Sequence, residues 1–183
     1  MEIWHTLTGT VDRKEVQDTI YWINNEIYAK PVTYLRLLLA AGGGEISSGI
    51  NLYTYLKALP IVVETIAFGE VDVAAALVFL GGKKRVTVDG CRFFFREGRY
   101  TIIDQTAPVY AHEDAVAVFR REQNEMTYIL AKETGNDTEI VANMLRRSKI
   151  MQADEAIQFG LSHETLATLP LHQQEKIGFA DKA

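Results

Sequence analysis

Apolar residues fall into short runs separated by glycine and proline, and the period of each run sets the element it predicts. Tyr34 to Leu39 is a compact apolar run suited to a buried strand. It stops at Ala40-Ala41-Gly42-Gly43-Gly44, where three glycines free the backbone for a turn. Ile46, Ile50, Leu52, Tyr53, Leu56 and Leu59 then recur near helical spacing, which predicts a helix from Ser47 to Leu59, ended by Pro60. Ile61 to Phe68 supplies a second, β-branched strand that Gly69 breaks. Val71 to Leu80 is alanine-rich and long enough for a buried helix, and Gly81-Gly82 stops it. Arg85 to Val88 and Arg92 to Phe95 predict two more short strands.

Strand, glycine turn, helix and strand in that order describe a right-handed parallel crossover, repeated twice here. The expected class is therefore α/β with a mainly parallel sheet. Ligands in such folds sit at the carboxyl ends of the strands, so the site is expected between Gly43-Gly44 and Gly69 to Val73.

The flanks extend this unit. Ile3, Trp4, Leu7 and Val11 form a half-alternating strand closed by Gly9 and Asp12, and Asp12 with Glu15 has capping-box spacing for a helix carrying Val16, Thr19, Ile20, Ile23 and Ile27. From Arg96 to Ala111 the chain reads as an exposed strand or extended arm, with Tyr100, Ile102-Ile103, Pro108 and Tyr110. The longest helix follows, from His112 to about Glu133, with a thin apolar stripe of Ala115, Val118, Phe119, Met126, Ile129 and Leu130. So thin a stripe predicts a face completed by another subunit, with Phe119, Met126 and Ile129 as its contacts. Thr134-Gly135-Asn136-Asp137 reads as a C-cap followed by a new N-cap, then a helix from Thr138 to Leu145. Asp154 to Phe159 is another helix, stopped by Gly160, and beyond it the pattern weakens. The chain is expected to be one domain, 1–183: a sheet-forming core over 1–111, the long helix over 112–134, and a mobile or partner-bound tail over 164–183.

At 183 residues and 48% hydrophobic content the chain suits one well-buried core. No apolar run is long enough to span a membrane, and Met1 to His5 lacks the basic-then-apolar pattern of a secretory signal, so a cytoplasmic location is expected. A formal charge of −5 without a long basic run argues against a nucleic-acid surface. The single cysteine, Cys91, excludes an internal disulfide and reads as apolar filler. His5, His112, His163 and His172 show no metal-ligand spacing, and no metal or cofactor is expected.

The central stretch resembles the proteolytic subunit of the ATP-dependent Clp protease, within the Clp/crotonase superfamily. Leu37 to Tyr53 is similar to that family's strand, Gly-Gly turn and helix, and Gly69-Glu70-Val71-Asp72-Val73-Ala74-Ala75-Ala76 to its Gly-x-Ala-Ala-Ser-Met-Gly-Ala. Leu130 to Asn136 looks like the stretch through its Thr-Gly-Gln, and Gln152 to Leu161 like its Ser-Ala-x-Glu-Ala-x-x-Tyr-Gly-Leu. The resemblance runs from Ile3 to His163 in the right order. It implies a Clp/crotonase-like fold in which the long helix is a protruding handle, and assembly with copies of itself into a ring, or two stacked rings, alone or with an active Clp-type paralogue. The family's longer N-terminal segment, contacted by an ATPase unfoldase, has no counterpart before Ile3, so an ATPase partner is not expected.

In the same register the family's catalytic serine falls on Val73, its histidine on Arg96 and its aspartate on Ser148. Valine has no nucleophilic atom and arginine stays protonated, so neither can play its triad role. Peptide hydrolysis by that mechanism is not expected, which leaves a structural or regulatory ring subunit as the leading reading. Two enzyme readings stand beside it. One is a Clp/crotonase-fold enzyme acting on acyl thioesters, with Asp72 or Glu70 as acid or base and an oxyanion hole at the backbone of Gly44 and Ala74. The other is an active serine endopeptidase with a shifted triad, although Ser47 and Ser48 read as helix starters and Ser148 and Ser162 have no base nearby in sequence. Asp72 also reads as the N-cap of the alanine-rich helix.

Overall fold

The structure is a computed structural model that describes residues 1–98, 106 and 108–170. The elements in chain order are β1 (Glu2–Val11), α1 (Arg13–Ala29), β2 (Tyr34–Gly44), α2 (Ile46–Ala58), β3 (Val62–Asp72), α3 (Val73–Leu80), β4 (Lys84–Val88) and β5 (Arg92–Phe95). After them come α4 (Val109–Thr134), α5 (Thr138–Arg146), β6 (Lys149–Gln152), α6 (Ala153–Gln158) and β7 (Glu164–Leu166). The sheet runs β1-β2-β3-β4-β7 with every neighbour parallel, while β5 pairs in parallel with the far end of β3 and β6 runs antiparallel to β5. The mainly parallel α/β arrangement expected from the glycine-punctuated runs is the one present.

Neither glycine break ends its strand where the sequence suggests. β2 continues through Gly42 and Gly43 to Gly44, because Gly43 and Gly44 still pair with Thr10 and Val11 of β1. β3 likewise continues past Gly69 to Asp72. Between the pairs Leu39↔Ala67 and Ala41↔Val71 the chain takes two steps on β2 and four on β3, so β3 carries a bulge that contains Gly69, whose φ is +76°. The bulge splits the far edge of β3: Glu64 to Ala67 pair with β4, whereas Glu70 to Asp72 pair with β5. That fork turns Asp72 and the start of α3 toward a cleft instead of continuing the flat sheet.

α3 is the centre of the core. All eight of its residues are buried, which its alanine-rich, wholly apolar sequence requires. At about 1.5–3 kcal/mol for each large apolar side chain removed from water, Leu77, Val78, Phe79 and Leu80 anchor it against Leu52 and Leu56 of α2 and Phe93 of β5. α2 approaches α3 at Gly49, where a Cβ would stand 2.5 Å from the Ala74 carbonyl oxygen.

Asp12 caps α1 by accepting from the Glu15 N–H, and a capping box is complete at α6, between Gln152 and Glu155. Gly135, at φ +74°, ends α4, and Asp137 caps α5 as its spacing predicts. β6 and β7 have no clear sequence signal. The tail expected to be mobile from 164 begins with three residues of sheet, Glu164 to Leu166, paired to β4. Tyr100 and Ile102-Ile103 of the expected arm, and His172 with the rest of the tail beyond 170, lie outside the described residues.

α4 has 26 residues, about 39 Å at 1.5 Å per residue. Its C-terminal half is not a free face. Met126, Ile129, Leu130 and Ala131 are buried in the chain's own core, which corrects the expectation that Met126 and Ile129 face a second subunit. No residue from 109 to 125 is buried, and Val109, Tyr110 and Val118 are strongly exposed.

Candidate functional site

A cleft of about 450 Å³ lies where the carboxyl ends of β2 and β3 deliver the N-termini of α2 and α3. Its walls are Gly43 to Ser47, Asp72 and Val73, Arg96 to Gly98 after β5, and Phe119 and Glu122 on α4. Val73 and Arg96, far apart in sequence, line it together.

Asp72 is buried at the base of α3 in this cleft. It is 7% exposed, and both carboxylate oxygens have partners: Oδ1 accepts from the Ala74 N–H at 3.1 Å and Oδ2 from Arg96 Nη2 at 3.1 Å. It is thus the N-cap of α3, the role its position suggests. The Ala74 N–H, expected as an oxyanion-hole donor, is already engaged. Gly44 does line the cleft beside it.

The other candidates separate. Glu70 points elsewhere: it pairs with Arg92 at 2.9 Å, both side chains about half exposed, and does not line the cleft. Ser148 immediately precedes Lys149, the antiparallel partner of Phe95, so its backbone lies across from Arg96 just past the paired strand ends. Its side of the turn, at φ 53°, opens instead onto a groove with Ile140, Met144 and Met151. Phe119, expected as a subunit contact, is half-buried and lines the cleft wall.

No described histidine lines the cleft. His5 stacks on Trp22 with centroids 4.6 Å apart and contacts Thr19, and His163 Nδ1 accepts the Arg85 N–H. Among serines, only Ser47 lines the cleft, in the first turn of α2; Ser48 donates to Glu45 Oε2 at 2.9 Å, and Ser162 is buried beside Thr87. Burial pushes the Cys91 thiol up to about 12, as an inert apolar filler would show. Chemically the cleft offers four carboxylates, Glu45, Asp72, Glu97 and Glu122, against one guanidinium, with Ile46, Val73 and Phe119 as apolar surface.

Sequence reasoning missed Glu97 and Glu122 as cleft residues and the Asp72–Arg96 ion pair. The pairing Asp72↔Phe94 puts Arg96 two residues past Asp72's partner; the family register, with serine on Val73 and histidine on Arg96, implies that these segments meet but gives no sign of the ion pair. Among the described residues no helix is long and apolar enough to cross a membrane, and no cluster of three His, Cys, Asp or Glu side chains is placed to hold a metal ion.

Comparison with known proteins bears on the family and the fold. The family model for Clp protease matches residues 7–168. The chain is 28% identical over 123 residues to the ATP-dependent Clp protease proteolytic subunit 2 of Treponema pallidum, a match covering 65% of this chain and 59% of that protein's length. It superposes on a mutant ClpP1 from Listeria monocytogenes with a TM-score of 0.78 at 16% identity, covering 90% of this chain and 91% of that one, a likeness of fold.

Proposed function

The chain belongs to the Clp protease family, and from that premise we propose that it is a noncatalytic member, a structural or regulatory subunit that assembles with copies of itself into a ring, alone or with an active paralogue. The observation that carries this reading is the Asp72–Arg96 ion pair beside Val73. Where the resemblance calls for a nucleophile, a base and two free oxyanion donors, this cleft holds a hydrocarbon side chain, a permanent cation and a carboxylate on one of the donors. No described histidine lines its walls to serve as a general base for Ser47.

Two features disfavour the acyl-thioester reading: each Asp72 oxygen already accepts a hydrogen bond that competes with a substrate proton, and Glu70 stands outside the cleft. Self-association draws support from the N-terminal half of α4, which carries Val109, Tyr110 and Val118 uncovered by the described chain.

The test is labelling of the unaltered protein with a serine-reactive fluorophosphonate, together with its native mass in solution. No labelled serine and a mass of several subunits are expected. A labelled serine removes the noncatalytic reading, and a monomer at micromolar concentration removes the ring.

A further inference from the structure

Resting on the noncatalytic reading, we infer that Asp72 itself disables the cleft, by occupying the Ala74 N–H that an acyl-transfer site would aim at a developing oxyanion. The first N–H groups of a helix have no partner within it and are the natural donors to an anion at its N-terminus. At α3 the N-cap Asp72 and the first residue, Val73, line a cleft large enough for a substrate, and the Ala74 N–H is the next donor behind them. An oxyanion hole works only if its donors stand free, about 2.7–3.1 Å from where the charge will appear. Here the Ala74 donor is spent on Asp72 Oδ1 at 3.1 Å, and the carboxylate adds negative charge where negative charge would have to form.

Two independent elements fix this state. The bulge in β3 aims Asp72 into the first turn of α3, and Arg96, arriving from β5, holds the second oxygen at 3.1 Å. Losing one oxyanion donor lowers acyl-transfer rates by about 10²–10³-fold. Installing a nucleophile and a base alone therefore leaves the cleft about 10²–10³-fold slower than one whose Ala74 donor is free, and Asp72 sets that difference.

The test builds three variants, each carrying Val73→Ser and Arg96→His, which leave the Asp72 cap on Ala74 in place: one with Asp72 retained, one with Asp72→Ala, one with Asp72→Asn. Each is exposed to a fluorophosphonate. The introduced hydroxyl oxygen bonds to phosphorus, fluoride leaves, the introduced imidazole takes the hydroxyl proton, and the phosphoryl oxygen sits in the hole. Labelling at least about 10²-fold faster with Asp72→Ala than with Asp72 retained is expected. The Asp72→Asn variant should stay slow, because its amide oxygen still accepts the Ala74 N–H. Equal labelling in all three, or no labelling with Asp72→Ala, overturns the inference. So does Asp72→Asn matching Asp72→Ala. Should the multiple variants not fold, Asp72→Ala in the otherwise unchanged chain should speed amide hydrogen exchange at Ala74 several-fold; unchanged exchange there overturns it equally. Labelling of the unaltered protein would instead defeat the noncatalytic reading, so the two failures are distinct.

Discussion

Arg85 on β4 grips the last turn of α4 at Glu133: its Nη2 donates to the Glu133 carbonyl at 3.0 Å, and its Nη1 lies 3.5 Å from the carboxylate. The same guanidinium donates to the carbonyls of Leu161 and Gly160, while Glu133 also accepts from Tyr53 and Lys57. A buried charge satisfied from four directions costs little as it stands and much when one partner is removed.

Arg85→Met should therefore destabilise the fold by about 3 kcal/mol, because it strands the polar atoms it satisfied. Urea denaturation checks this. Exposed Lys57→Met, which removes one partner of Glu133 near solvent, should cost about 1 kcal/mol or less.

Glu64 sets an acid limit. Burial alone would raise its pKa, but hydrogen bonds from Lys84 and Arg36 outweigh that and hold the carboxyl below its ordinary value. A carboxyl depressed in the folded state adds stability above its unfolded pKa and loses it as pH falls through the folded one. Stability should accordingly fall below about pH 4.5, and Glu64→Gln should flatten that dependence while lowering stability at neutral pH. Thermal midpoints from pH 3 to 7 measure both.

Gly49→Ala should cost about 1–3 kcal/mol, as overpacking does, because its Cβ would meet the Ala74 backbone and not a yielding side chain. A lowered melting temperature with unchanged helix content is expected. No loss of stability would mean that α2 and α3 can separate without cost.

The two halves of α4 should respond differently to charge. Val118→Asp, at an exposed position, should leave the melting temperature nearly unchanged while shifting sedimentation toward smaller species. Met126→Asp puts a charge into the core and should unfold the chain before it affects assembly. Identical behaviour of the two variants would contradict this division of the helix.

Much of the fold was legible in the sequence because its signals are local. An apolar run ended by Pro60, an alanine-rich segment with no polar face and Gly135 after a long helix each allow one conformation, and alternating strand and helix impose parallel pairing. That the resemblance sets the family's serine on Val73 is likewise a matter of sequence alone, since it needs only the family's motif laid on Gly69 to Ala76. Tertiary structure decided what depends on partners distant in the chain. The glycines at 42–44 and 69 read as breaks, yet neighbouring strands supplied hydrogen bonds that kept them in the sheet. Met126 and Ile129 sit on a thin stripe, but α2, α3 and α5 close over that half of the helix. Asp72 is an N-cap by sequence. That it also meets Arg96, within a cleft walled in part by α4, follows from the fork in β3, a property of the assembled sheet and of no single segment.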